Sequence, residues 1–278
     1  FLSLPFYMSN YQVTFLNSLF EGISGLTGTG FSIFKNIKYL DPTLILWRSS
    51  SQWIGGLYFL FFLILIFSNK QFKYKMNELT YSGEVRINSE SNIKDLLSRV
   101  FILYSVLSLI IFLLLNITEV RMFNSLNLSM SLISTGGFMP TDTLDKVIRS
   151  NPQKLVLILS FLISMLNFFL VLNIFQKKVI VKDHKEDLYL VLLSIFFILL
   201  VYLNDYSGLN IIIGVLSSLS NSGLSLISSD NNLSLYFILI TVVGGSLISN
   251  TSGIKFTRIY VLLKTASSEI IKLISPNS

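Results

Sequence analysis

Three clusters of small and hydroxyl-bearing residues carry the chemistry that this chain offers. Thr27-Gly28-Thr29-Gly30, Ser134-Thr135-Gly136-Gly137 and Ser220-Asn221-Ser222-Gly223 each follow a short apolar run. The last glycine of each lies 13 residues after an asparagine: Asn17, Asn124 and Asn210. A register kept without gaps in three copies is an internal repeat, a stronger signal than any single motif. Glycine reaches backbone conformations closed to other residues and permits close main-chain approach. An extended strand of free carbonyls with hydroxyls beside it can then replace the hydration shell of a monovalent cation. Desolvating an ion is costly unless fully compensated, so several strands must converge on one axis. Helix packing through small residues accounts for the composition of the clusters but not for their common spacing. No His, Cys and carboxylate cluster has metal-ligand spacing, and no phosphate- or dinucleotide-binding glycine motif occurs.

The elements that hold such strands must lie in a membrane. Of 278 residues, 52% are hydrophobic and only 13% charged, the net charge is +6 and cysteine is absent. Soluble domains carry about a quarter charged residues. The composition excludes a soluble enzyme, a disordered tail and a disulfide scaffold. Five runs, 49–69, 100–116, 155–176, 188–204 and 233–254, approach the roughly 20 apolar residues that cross a bilayer core. The runs 14–26, 122–133 and 209–219 are too short to cross, and each leads into one of the clusters. Backbone that is not helical is tolerated at membrane depth only where it lines a cavity or is buried in protein, so these three runs read as re-entrant. The segments 68–99, 176–187 and 255–278 hold six, four and four Lys or Arg, against three, four and none in 1–48, 117–154 and 205–232. Basic residues favour the cytoplasmic side, so each short run dips in from outside and returns there. The basic balance reports topology rather than affinity for nucleic acid.

The helices after the clusters start alike, at Asp41-Pro42 and Asn151-Pro152, with Asp230 or Asn231 as the cap in the third copy. The last apolar run is interrupted by Gly244-Gly245-Ser246-Leu247-Ile248-Ser249-Asn250-Thr251-Ser252-Gly253, and broken helices of this kind line permeation pathways. Ser249, Asn250 and Thr251 are expected to turn polar groups towards that pathway, with Lys255 and Arg258 at its cytoplasmic end. Glu21 is the one carboxylate in a re-entrant run. It is either a functional intramembrane acid or the partner of a backbone N–H or of Arg48. His184 stands among charged residues and reads as part of a solvated loop. The loop 68–99 is a candidate dock for a cytosolic subunit.

The chain resembles the Trk/Ktr/HKT superfamily of potassium transporters, in particular a bacterial Trk-type membrane subunit. The resemblance runs through Phe20-Glu21-Gly22-Ile23-Ser24-Gly25-Leu26-Thr27-Gly28-Thr29-Gly30, Gln52-Trp53-Ile54-Gly55-Gly56, Ser134-Thr135-Gly136-Gly137-Phe138, Gly244-Gly245-Ser246 and Thr251-Ser252-Gly253-Ile254-Lys255. It implies an all-α integral membrane fold of helix–pore-loop–helix units around a central ion pore, three of an expected four. The units are 1–69 without its first helix, 70–176, and 177–278 with a broken second helix. A longer parent chain is therefore expected. By the same resemblance, Thr27–Gly30, Ser134–Gly137 and Ser220–Gly223 are potassium-binding filter strands, with Gly30, Gly137 and Gly223 as the key glycines. Gly244, Gly245, Ser249, Asn250, Thr251 and Gly253 belong to an intramembrane gate. The third strand departs most, with Leu224 where an aromatic is common and Asn221-Ser222 in place of Thr or Ala. Potassium is the transported ion and no cofactor is implied in this chain. The implied partners are the lipid bilayer, a second copy in a homodimer and a cytosolic nucleotide-binding regulatory subunit, in the bacterial inner membrane. The alternative is a non-conducting scaffold or sensor of the same fold.

Overall fold

Helix starts and stops follow local chemistry. The computed structural model describes residues 1–68, 90–175, 185–203, 208–226 and 231–274. Its helices are α1 (Leu4–Tyr7), α2 (Phe15–Leu26), α3 (Pro42–Ser68), α4 (Glu90–Ile117), α5 (Met122–Ser134), α6 (Asn151–Met165), α7 (Phe168–Phe175), α8 (Lys185–Tyr202), α9 (Leu209–Ser220), α10 (Asn231–Val243) and α11 (Phe256–Ile274). The described residues contain no strand, and the fold is all-α. Most of the loops 68–99 and 176–187, together with His184 and Asp230, lies outside the described residues. The three short runs fold as α2, α5 and α9, within a residue of their expected bounds. Thr14 caps α2, its Oγ1 accepting from Asn17 N at 3.4 Å, and Pro42 opens α3. At α6 the cap is Ser150 rather than Asn151. The Gln153 side chain accepts from Ser150 N at 3.1 Å and from Arg149 N at 2.7 Å, satisfying donors that the first turn leaves free.

Two of the short helices are enclosed by three neighbours each, in a repeating pattern. α5 packs against α3, α4 and α6, whereas α9 packs against α6, α8 and α10, and α2 lies against α3. Thus α3 serves α5 as α6 serves α9. Leu128 and Leu132 of α5 and Ile213 and Leu219 of α9 are fully buried and join one apolar cluster with Ile111 of α4. Lipid tails are as apolar as these side chains, so close packing and hydrogen bonds carry the association. α3 uses both. A Cβ at Gly55 would overlap Leu26 O at the end of α2, and one at Gly56 would lie 3.0 Å from Ser134 Cβ at the end of α5. Trp53 Nε1 donates to Ser108 Oγ of α4 at 2.8 Å.

Pro42–Ile66 and Ile93–Ile117 are long and apolar enough to cross a membrane. The run 233–254 stops at Val243, as its glycines predict. The run 155–176 also stops, with α6 ending at Met165 and α7 starting at Phe168, which corrects the reading of one unbroken helix. Neither Gly nor Pro marks that break. Its cause is tertiary and lies in what takes up the released backbone groups.

Candidate functional site

The common spacing has a backbone explanation. Thr29 N, Gly136 N and Ser222 N donate at 3.0 Å to Ser24 O, Ser131 O and Ser217 O, five residues earlier in each copy. Gly28 N, Thr135 N and Asn221 N donate to Gly25 O, Leu132 O and Ser218 O at 3.1, 3.2 and 3.1 Å. Gly28, Thr135 and Asn221 take φ of +66°, +54° and +57°. This is the left-handed cap that closes a helix C-terminus with paired 6→1 and 5→2 bonds. Two residues later, Gly30, Gly137 and Gly223 return to positive φ, at +78°, +80° and +68°. The 13-residue register therefore measures a short helix, its cap, and one further left-handed residue.

Successive segments touch through their carbonyls. A Cβ at Gly30 would lie 2.5 Å from Gly136 O, and one at Gly137 would overlap Ser222 O, with Gly30 Cα 3.9 Å away. The carbonyl one residue before the last glycine of each later segment thus abuts the last glycine of the segment before it. Gly28 is less crowded, its nearest neighbours being Gly136 Cα and Ser134 O at 3.8 Å. The third segment adds a Ser217 Oγ to Ser222 Oγ hydrogen bond of 2.9 Å. Leu224, at the departing position, is fully buried.

A buried ion pair braces the first segment from behind. Arg48 Nε of α3 donates to Glu21 Oε1 of α2 at 2.7 Å, and both side chains are essentially inaccessible. Glu21 Oε1 also accepts from Ser32 Oγ at 3.0 Å, and Oε2 from Ile33 N at 2.9 Å. Arg48 Nη2 donates to Ser32 Oγ at 2.9 Å. The guanidinium lies 4.2 Å from the ring centroid of Phe138, the residue after Gly137, and a cation over an aromatic face is attracted to it. Of the two readings of Glu21, pairing with Arg48 is the one observed.

The second segment is tied to the interruption in the third copy. Thr135, a β-branched residue in a conformation that such residues rarely adopt, donates from Oγ1 to Asn250 O at 3.1 Å. Asn250 Nδ2 donates to Ile133 O at 2.9 Å. Ser249 Oγ donates to Ser246 O at 2.7 Å and pairs with Thr251 Oγ1 at 2.7 Å. Ser249 and Thr251 are fully buried. Both hydroxyls and the Asn250 amide nitrogen are engaged inside the protein, whereas Asn250 Oδ1 is buried without a hydrogen-bond partner. Lys255 is buried as well, in place of the expected cytoplasmic end. Its Nζ donates to Ser249 O at 3.1 Å, to Thr251 Oγ1 at 3.0 Å and to Thr251 O. Gly244 and Gly253, at φ of +70° and +83°, pack backbone on backbone where the loop closes.

The two helix breaks satisfy each other. Ser246 N donates to Met165 O and Phe168 N donates to Ile248 O, both at 2.9 Å. The start of α8 supplies two further acceptors. Asp187 Oδ1 accepts from Asn167 N at 2.8 Å, and Glu186 Oε1 accepts from Leu247 N at 2.8 Å and from Thr257 Oγ1. Interrupted helices persist inside a membrane where neighbours take up the freed backbone groups in this way. Sequence reasoning missed the break at 166–167 and the roles of Glu186, Asp187 and Lys255. One signal was available: an acidic pair, Glu186-Asp187, directly before an apolar run.

Among the described residues no group of His, Cys, Asp and Glu could hold a metal ion, and the convergent chemistry is that of main-chain oxygens. Residues 2–204 match the TrkH family model, described as cation transport protein. Over 99% of its length the chain is 26% identical to an uncharacterized cation transporter of Methanocaldococcus jannaschii, covering 58% of that protein. It is 24% identical over 99% of its length to the Trk system potassium uptake protein TrkH of Escherichia coli, covering 61% of it. The fold superimposes on the crystal structure of the potassium transporter TrkH from Vibrio parahaemolyticus with a TM-score of 0.82. That alignment covers 99% of this chain and 60% of that one at 20% identity. The chain thus spans about three-fifths of the length of the relatives it matches.

Proposed function

The chain belongs to the TrkH family of cation transport proteins, and from that premise we propose that it is the pore-bearing part of a potassium uptake protein. The segments Thr27–Gly30, Ser134–Gly137 and Ser220–Gly223 act as three strands of a potassium filter, and the loop 244–253 acts as the gate beneath them. The reading draws its support from one observation: the carbonyls of Gly136 and Ser222 occupy the places that a Cβ would take at Gly30 and Gly137 in turn, so the three glycine-bearing segments stand against one another. Ion conduction through such strands requires binding strong enough to admit the ion and weak enough to release it. Three helix–pore-loop–helix units divide the chain at about 69 and 176, and a fourth strand from the remainder of the protein closes the ring. The gate rests shut in the hydrogen-bonded form described above. A second copy and a cytosolic nucleotide-binding subunit complete the transporter in the inner membrane.

Replacing Gly137 by Ser in the full-length protein tests the filter. Its Cβ would overlap Ser222 O, and a left-handed backbone costs a non-glycine residue about 1–2 kcal/mol. Rubidium and sodium uptake in cells lacking other potassium systems are expected to show a reduced preference for the larger ion. An unchanged ratio would remove the filter assignment. Absence of rubidium uptake by the unmodified protein would favour the non-conducting alternative.

A further inference from the structure

One face of α3 holds both neighbouring glycine-bearing segments, and a single side chain on it does what a paired backbone would do. Gln52 is fully buried. Its Nε2 donates to Gly136 O at 2.5 Å, and its Oε1 accepts from Phe138 N at 3.1 Å. A residue in an adjacent parallel strand would make the same two bonds, its N–H to the carbonyl of residue i and its C=O to the N–H of residue i+2. The orientation of the amide is dictated, because a carbonyl can only accept and a backbone N–H can only donate. Gly136 cannot carry a side chain, since the Gln52 amide occupies the place of its Cβ. One turn further along the same helical face, Gly55 and Gly56 admit the ends of α2 and α5.

We propose that Gln52 is a selectivity-determining positioning residue: its amide, standing in for a strand neighbour, sets the orientation of the Gly136 and Gly137 peptides and the spacing between the first and second strands. The proposal rests on the pore reading given above. The Gly136 carbonyl held by Gln52 is also the one against Gly30, so a shift at Gln52 moves both strands relative to each other. Selectivity in a carbonyl-lined filter depends on the number and placement of those oxygens. The chemistry of the residue is narrow. Glutamate keeps the acceptor for Phe138 N but turns an oxygen towards the Gly136 oxygen, leucine removes both partners, and lysine has no acceptor.

The test uses the full-length protein in proteoliposomes, comparing potassium, rubidium and sodium flux for Gln52→Glu, Gln52→Leu and Gly137→Ala. Expected is a fall of about ten-fold in the potassium-to-sodium ratio for each Gln52 variant, because the buried Gly136 carbonyl loses its donor in both and Phe138 N also loses its acceptor in Gln52→Leu. A merely structural role would lower total flux and thermal midpoint together and leave the ratio alone. An unchanged ratio in both Gln52 variants, with Gly137→Ala still lowering it, overturns the proposal and leaves the pore reading standing. An unchanged ratio in all three removes the pore reading itself. Should Gln52→Glu not fold, Gln52→Asn, which keeps the amide on a stem one methylene shorter, carries the same expectation and the same refutation.

Discussion

The Glu21–Arg48 pair gives the sharpest test of how the first segment is held. Both side chains are about 1% exposed or less, so neither charge has water to fall back on. Two unit charges ~4 Å apart attract by about 4 kcal/mol at an effective dielectric constant near 20. Removing one partner of a buried pair typically costs about 3–5 kcal/mol, because the other is left charged and uncompensated. Glu21→Gln retains an acceptor for Ile33 N but leaves the Arg48 guanidinium without a countercharge. Arg48→Gln leaves the carboxylate with Ser32 Oγ and Ile33 N as its remaining donors. Each single change is expected to cost about 3–5 kcal/mol, and the double change about 3 kcal/mol less than their sum. Reversible SDS unfolding of the full-length protein in mixed micelles measures all three. Additive single effects, agreeing within ~0.5 kcal/mol, would refute the claim that the two charges act as a unit. Loss of stability with intact potassium preference would show that the brace holds the fold without shaping the strand.

The capping and crowded glycines should separate cleanly. Gly28→Asn is expected to cost under about 1 kcal/mol, since Asn tolerates the left-handed cap and Asn221 already fills the equivalent place. Gly30→Ala should be far more damaging, because Gly136 O stands 2.5 Å from the new Cβ; equal stability and selectivity in the two variants would contradict the packing described. Glu186→Ala leaves Leu247 N and Thr257 Oγ1 without their acceptor, a loss of about 1–3 kcal/mol from the closed loop. If that loop is the gate, basal rubidium flux rises several-fold at unchanged selectivity, and a flux equal to that of the unmodified protein would rule out the clamp.

Local sequence was sufficient for much of what chain neighbours set. The short helices and the glycines that close each cluster follow from apolar length and spacing, whereas the left-handed turn at Thr135, which a β-branched residue disfavours, and the cap of α6 at Ser150 do not. The broken run at 244–253 was legible because its own glycines make the turn. The break at 166–167 was not, since nothing in Leu166-Asn167 forbids a helix. It exists because Ser246 N, Ile248 O and Asp187 offer better partners from 20 to more than 80 residues away. The choice between two readings of Glu21 likewise needed Arg48, 27 residues on, to arrive at 2.7 Å. Composition and spacing determined that three segments could offer carbonyls. That the carbonyl of one segment rests on the glycine of another was decided only by packing the helices behind them, since such contacts join residues about 85 to 106 positions apart.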